Sequence, residues 1–318
     1  MSLAASFFDS VGEFFSNLAS VSWGSLLAGL VLFAIYLTFR SRAYFHVVRA
    51  AYPDARIRWR DIWGAYVAAY GFNNVVPARG GDIMKLFLTH RSVERSSYPA
   101  VGASFAVEGI FDLTIAVPVL IFAFSQGVFP KPPDFASIGS FDLSFFASHP
   151  RFTLFLLTAI GFLILLGFAV LSRRVKLFWA RVRQGLSILR DRRRYFREVW
   201  LVQFAGWLFR VGAFWMLLDA FHIGGSLRNA LLVLGVNAVA ALVPFTPGGA
   251  GVQQAFLIKV FNGNPHVAAY SVGQQIAIAA VSLAMGFAAI VFIFKFRSFR
   301  EVIRAGRDHR SAEAEPAA

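Results

Sequence analysis

"VPFTPGGAGVQQAF", Val243 to Phe256, sets two prolines and three glycines, followed by two glutamines, inside an apolar run. A helix crossing a bilayer does not tolerate such a cluster in contact with lipid, because proline removes a backbone donor and every freed amide or carbonyl must find a partner away from water. An earlier stretch, "NNVVPARGGDIMKLFL" (Asn73 to Leu88), has the same order of parts: apolar residues, a proline, a Gly-Gly pair, then an apolar return. The two pairs, Gly80-Gly81 and Gly248-Gly249, lie 168 residues apart. Paired interruptions at corresponding places in two halves predict helical hairpins that enter a membrane and return to the same face.

The rest of the chain supplies that membrane. Of 318 residues, 57% are hydrophobic and 16% aromatic, 36 of them Phe, while only 15% are charged, and the charges are grouped in blocks. This is the composition of an all-α polytopic membrane protein. Apolar windows at 22–39, 100–124, 152–172, 199–221 and 267–294 approach the roughly 20 residues that cross a hydrocarbon core, and they predict five full transmembrane helices. The formal charge of +14 does not imply nucleic acid, since the basic residues gather at the ends of these windows, where lipid headgroups attract them. There is no cysteine, which excludes disulfide scaffolds and thiolate chemistry, and the six histidines show no paired spacing. No metal or other cofactor is expected.

Three basic blocks orient the spans. Residues 40–60, 173–198 and 295–310 are dense in Lys and Arg and are expected on the cytoplasmic face. Residues 1–21 hold Asp9 and Glu13 but no Lys or Arg, so they lack the positive leader of a cleaved signal, and the first span is expected to act as an uncleaved anchor. The N-terminus is then outside and the C-terminus inside the plasma membrane. Parity makes 61–97 and 230–262 re-entrant, the first entering from the cytoplasm and the second from the opposite side. The expected division is an N-terminal extracytoplasmic segment 1–21, a transmembrane domain 22–295 and a basic cytoplasmic tail 296–318. Within the domain, halves at 22–124 and 199–295 form an inverted repeat, joined by the span 152–172 and by 173–198, whose basic and apolar residues alternate as in an amphipathic helix on anionic lipid.

Polar residues concentrate at the hairpins and in two spans. Asn73, Asn74, Arg79, Gly81, Asp82 and Lys85 surround the first break, where Arg79 and Lys85 beside a helix start suit an anion of phosphate size. The same residues also fit a plainer reading, with Arg79 and Lys85 snorkelling to the cytoplasmic face and Asp82 capping a helix. Around the second break Thr246, Gln253 and Gln254 offer uncharged hydrogen bonds, and Gly248, Gly249 and Gly251 allow close approach. Glu108 and Asp112, one helical turn apart in a span, mark a functional intramembrane pair or a structural ion pair, with Arg210 as the expected counter-ion.

These segments, with "VEGIFD" (107–112), resemble the transmembrane region of the lysylphosphatidylglycerol synthase/flippase family over roughly residues 22–295. The resemblance implies a protein that moves a phospholipid, aminoacylated or otherwise modified, between leaflets. Arg79, Gly81 and Asp82 match its first motif, Glu108 and Asp112 its intramembrane acidic pair, and Pro244, Pro247, Gly248, Gly249 and Gly251 its last. Gly109 and Gln254 depart from it, standing where the family often has Arg and Glu. The 318 residues hold no soluble aminoacyltransferase domain, so synthesis of the modified lipid is not expected of them. An intramembrane transferase acting on a lipid-linked substrate, with Glu108 or Asp112 as base, is the alternative, and a membrane subunit recruiting a cytoplasmic synthase is a third reading. Expected partners are phospholipid, an anionic lipid surface at 173–198, and either a second copy of the chain or that synthase.

Overall fold

The computed structural model describes residues 21–74, 76, 80–127, 177–240, 252–261, 264 and 266–296, and among these the regular structure is all helical. In chain order the helices are α1 (Trp23–Ala51), α2 (Trp59–Asn73), α3 (Gly80–Ser92), α4 (Tyr98–Ser125), α5 (177–185), α6 (Arg192–Ala220), α7 (Leu227–Ala240), α8 (Val252–Val260) and α9 (Val267–Phe292). Four of them, α1, α4, α6 and α9, are long and apolar enough to cross a membrane. At ~1.5 Å per residue α2 and α3 reach only about 22 and 20 Å, short of a ~30 Å core. The expected span 152–172 and most of the basic tail lie outside the described residues.

The basic segment expected as one interfacial helix, 173–198, is divided. α5 ends at residue 185, a tight turn runs from Ser187 to Arg190, and Asp191 then caps α6 by accepting the amide of Arg194 at 3.0 Å. A capping aspartate ahead of three arginines starts a new helix, because its side chain satisfies an amide that the first turn leaves free. α6 therefore begins inside the basic block, and a π turn at Phe196–Trp200 precedes its apolar part. The exposed Leu177, Phe178 and Trp179 of α5 keep the apolar character an interfacial helix needs.

Small residues bring the helices together. α1 and α6 run antiparallel: Gly29 lies against Ala213 and Leu217, Gly206 lies against Tyr36 and Phe39, and the Ser22 amide donates to the Ala220 carbonyl at 3.0 Å. α2 and α9 are antiparallel too, with Gly71 at Ser282, Ala68 at Gly286, and Gly64 at Ala289 and Ile293. Between lipid-solvated helices such small-residue seams supply van der Waals contact that the hydrophobic effect does not. α7 packs on α4 in the same sense, Gly235 against Ala123 and Arg228 donating to Gln126 at the α4 end. α2 and α7 thus seat against long helices distant in sequence, α9 and α4 respectively.

Candidate functional site

Side chains close the break between α2 and α3. Asn73 Oδ1 accepts the amide of Gly81 at 2.7 Å, its Nδ2 donates to Asp82 Oδ1 at 3.3 Å, and Asn74 Nδ2 donates to the Tyr70 carbonyl at 3.0 Å. A Cβ on Gly81 would lie 2.0 Å from the Ala69 carbonyl, so only glycine lets α3 begin this close to α2. Asn73, Asn74, Gly81 and Asp82 are in this arrangement the fasteners of the hairpin. Arg79, expected beside them, lies outside the described residues.

Lys85, one turn further along α3, turns inward. It is 7% exposed, its ammonium donates to Glu108 on α4, and it stands 3.8 Å from the ring centre of Tyr44, 4.3 Å from that of Phe105 and 4.5 Å from that of Tyr66. Three aromatic faces and one carboxylate replace the water that an ammonium loses on burial. Glu108 is 5% exposed, and its second oxygen, Oε1, has no hydrogen-bond partner among the described residues.

A second ion pair sits beside the first. Arg40 of α1 grips Asp112 with both terminal nitrogens, at 2.6 and 3.0 Å, while its Nε donates to the Tyr66 hydroxyl at 3.1 Å and Nη1 also reaches Gln203 on α6. This two-pronged geometry is the strong form of the contact. The Asp112 side chain is 54% exposed against 10% for Arg40, so the pair has one sheltered end and one open end. Tyr66 touches both ion pairs, accepting from Arg40 and offering its ring to Lys85. Five helices, α1, α2, α3, α4 and α6, meet at this network.

Arg210, the counter-ion expected for the acidic pair, is elsewhere. Its guanidinium lies over the rings of Tyr36 and Phe214, and its Nε has no hydrogen-bond partner among the described residues. Lys85 and Arg40 take its place because α3 and α1 pack on α4 more closely than α6 does, which puts their cations nearest to Glu108 and Asp112. Near the second break, Gln253 is buried and Gln254 on α8 donates to Gln275 on α9. Thr246, Gly248, Gly249 and Gly251 lie outside the described residues.

Arg40, Tyr44, Tyr66, Phe105 and Gln203 were not among the residues singled out from the sequence. Arg40 follows directly on the first apolar window and reads there as the start of a cytoplasmic block, yet α1 continues for 11 residues beyond it, to Ala51. The apolar "AYFHVV" after Arg42 was the available signal that the helix stays among neighbours. The aromatics carry no charge and are common in this chain, so nothing local distinguishes them. Chemically the network can hold an anion through Arg40, hold a cation through Glu108 or Asp112, and exchange either for its internal partner.

In comparisons with known proteins, the family model described as lysylphosphatidylglycerol synthase TM region matches residues 1–293. No curated protein and no solved structure matches the chain.

Proposed function

The chain belongs to the lysylphosphatidylglycerol synthase transmembrane-region family, and on that premise we propose that this multi-pass membrane protein binds a phospholipid by its headgroup and moves it between leaflets. The observation that carries the proposal is the double ion pair, Arg40 with Asp112 and Lys85 with Glu108, buried at the meeting of five helices and open to one side at Asp112. Charges within membrane spans are costly and are retained where they serve a pathway or a coupled proton. A headgroup carrying a phosphate and a cation has a partner for each in this network, while its acyl chains remain in the bilayer.

The two halves act, in this proposal, as an inverted repeat whose hairpins are re-entrant from opposite faces. The exchange of partners supports it: α2 seats on α9 and α7 on α4. So does the pairing of α3 to α4 through Lys85 and Glu108, matched by that of α8 to α9 through Gln254 and Gln275, at sequence offsets of about 168. One contact is charged and the other neutral, which gives the path a polarity. Arg79 meets the phosphate on the cytoplasmic side, with the N-terminus outside and the basic tail inside. Leaflet exchange of a fluorescent phospholipid in vesicles tests this reading. Asp112→Asn, Glu108→Gln and Arg79→Ala are expected to slow exchange at least about tenfold, roughly the loss of one charge-assisted contact. Equal exchange in the native protein and all three variants rules it out.

A further inference from the structure

We propose that the box formed by Tyr44, Tyr66, Phe105 and Glu108 is a binding site for an alkylammonium group, and that Lys85 is its built-in occupant, displaced when a ligand ammonium enters. The inference rests on the reading of the network as a headgroup site and adds the chemistry of one subsite. Three ring faces within 4.5 Å of a nitrogen, closed by a carboxylate, form an aromatic cage, the arrangement that recognises ammonium ions. Nothing in that cage requires the nitrogen to be tethered. The Lys85 ammonium has three donors and spends one on Glu108, while its other contacts are to ring faces, which an incoming primary ammonium meets equally well.

The free Glu108 Oε1 is the second observation. A carboxylate oxygen with no partner among the described residues, on a side chain 5% exposed, leaves an acceptor that a second cation uses as it arrives. The incoming ammonium bonds Oε1 first, Lys85 then leaves Oε2, and Glu108 is never left unpaired. Gln254 and Gln275 make the corresponding contact without a charge, so among the described residues the charged contact is on the α3–α4 side. The site takes an amine-bearing lipid headgroup or a free alkylamine by the same contacts.

Chemical rescue in the full-length protein tests the cage. Lys85→Ala removes the atoms of propylammonium, and added propylammonium is expected to raise the unfolding temperature of that variant saturably, by on the order of 5 °C. The neutral isostere 1-propanol, and propylammonium given to Lys85→Ala/Glu108→Gln, are expected to have no effect. If Lys85→Ala does not fold, Lys85→Met, which removes only the terminal nitrogen, with added ammonium ion takes its place. Absence of a saturable shift, or the same shift without Glu108, overturns the proposal. Displacement is read in native protein labelled at the ε-carbon of its five lysines. The Lys85 signal, assigned by its loss in Lys85→Arg, is expected to leave its ring-shielded position in nanodiscs containing phosphatidylethanolamine and to keep it in phosphatidylglycerol alone. A signal that moves only with free propylammonium assigns the site to soluble amines, and one that never moves removes the displacement step. Rescue without lipid exchange would leave the cage standing and remove the transport reading; exchange without rescue does the reverse.

Discussion

Arg40 is the most heavily committed side chain of the network: one guanidinium serves a carboxylate, a phenol and an amide carried by three different helices. A lysine there keeps the charge but has neither the flat fork nor the reach. Arg40→Lys is expected to lower stability by about 1–3 kcal/mol and to slow lipid exchange, both measurable on purified protein, in detergent and in vesicles respectively. An unaffected Arg40→Lys contradicts the geometry. The Lys85 pair obeys a different rule, because both of its members are buried. Removing one charge strands the other, so Lys85→Met is expected to cost about 3–5 kcal/mol, and Lys85→Met/Glu108→Leu to recover most of it. A double variant no more stable than Lys85→Met shows that the carboxylate is not stranded. Glu108 and Asp112 were legible in the sequence as charges out of place in an apolar run. Their partners were not, since a cation near the end of a span has the same local signature whether it faces lipid headgroups or a buried acid.

At the scale of the helix, the seam between α2 and α9 depends on positions where a methyl group does not fit. A Cβ at Gly71 would stand 2.5 Å from the Ser282 carbonyl, which belongs to backbone and has little freedom to give. Gly71→Ala is expected to cost about 1–3 kcal/mol. Gly109, in α4, has nothing within 4 Å, so Gly109→Ala removes only the flexibility of glycine and is expected to stabilise by up to about 1 kcal/mol. Thermal unfolding of the two variants in parallel decides it, and a reversed order would mean that the α2–α9 seam is not formed as described. The break between α2 and α3 was legible because proline and paired glycines are local signals, while the second expected break lies outside the described residues. The division of 173–198 was missed for a related reason: the basic residues dominate the pattern, and the single capping Asp191 changes the path of the chain without changing the composition.

The whole molecule carries no cysteine, so single cysteines placed one at a time report its topology cleanly. Asp54→Cys and Glu94→Cys, on exposed residues before α2 and after α3, are expected to react with an impermeant maleimide from the same side, and Ala5→Cys from the other. Opposite labelling at 54 and 94 makes the α2–α3 pair a full crossing and dissolves the proposed repeat. A helical membrane protein with two broken segments and an acidic pair in a span follows from the sequence alone. Hydropathy and glycine-proline punctuation are properties of contiguous residues, and the bilayer acts on each segment separately. What only the tertiary structure decided is which charges meet. Arg40 lies 72 residues from Asp112, and Lys85 lies 23 from Glu108. Arg210, the partner the sequence suggested, faces two aromatic rings instead. Ion pairing depends on distance in space and on what else shares the cavity. Both are set by the packing of α1, α2, α3, α4 and α6 around the network, and no window of sequence contains that packing.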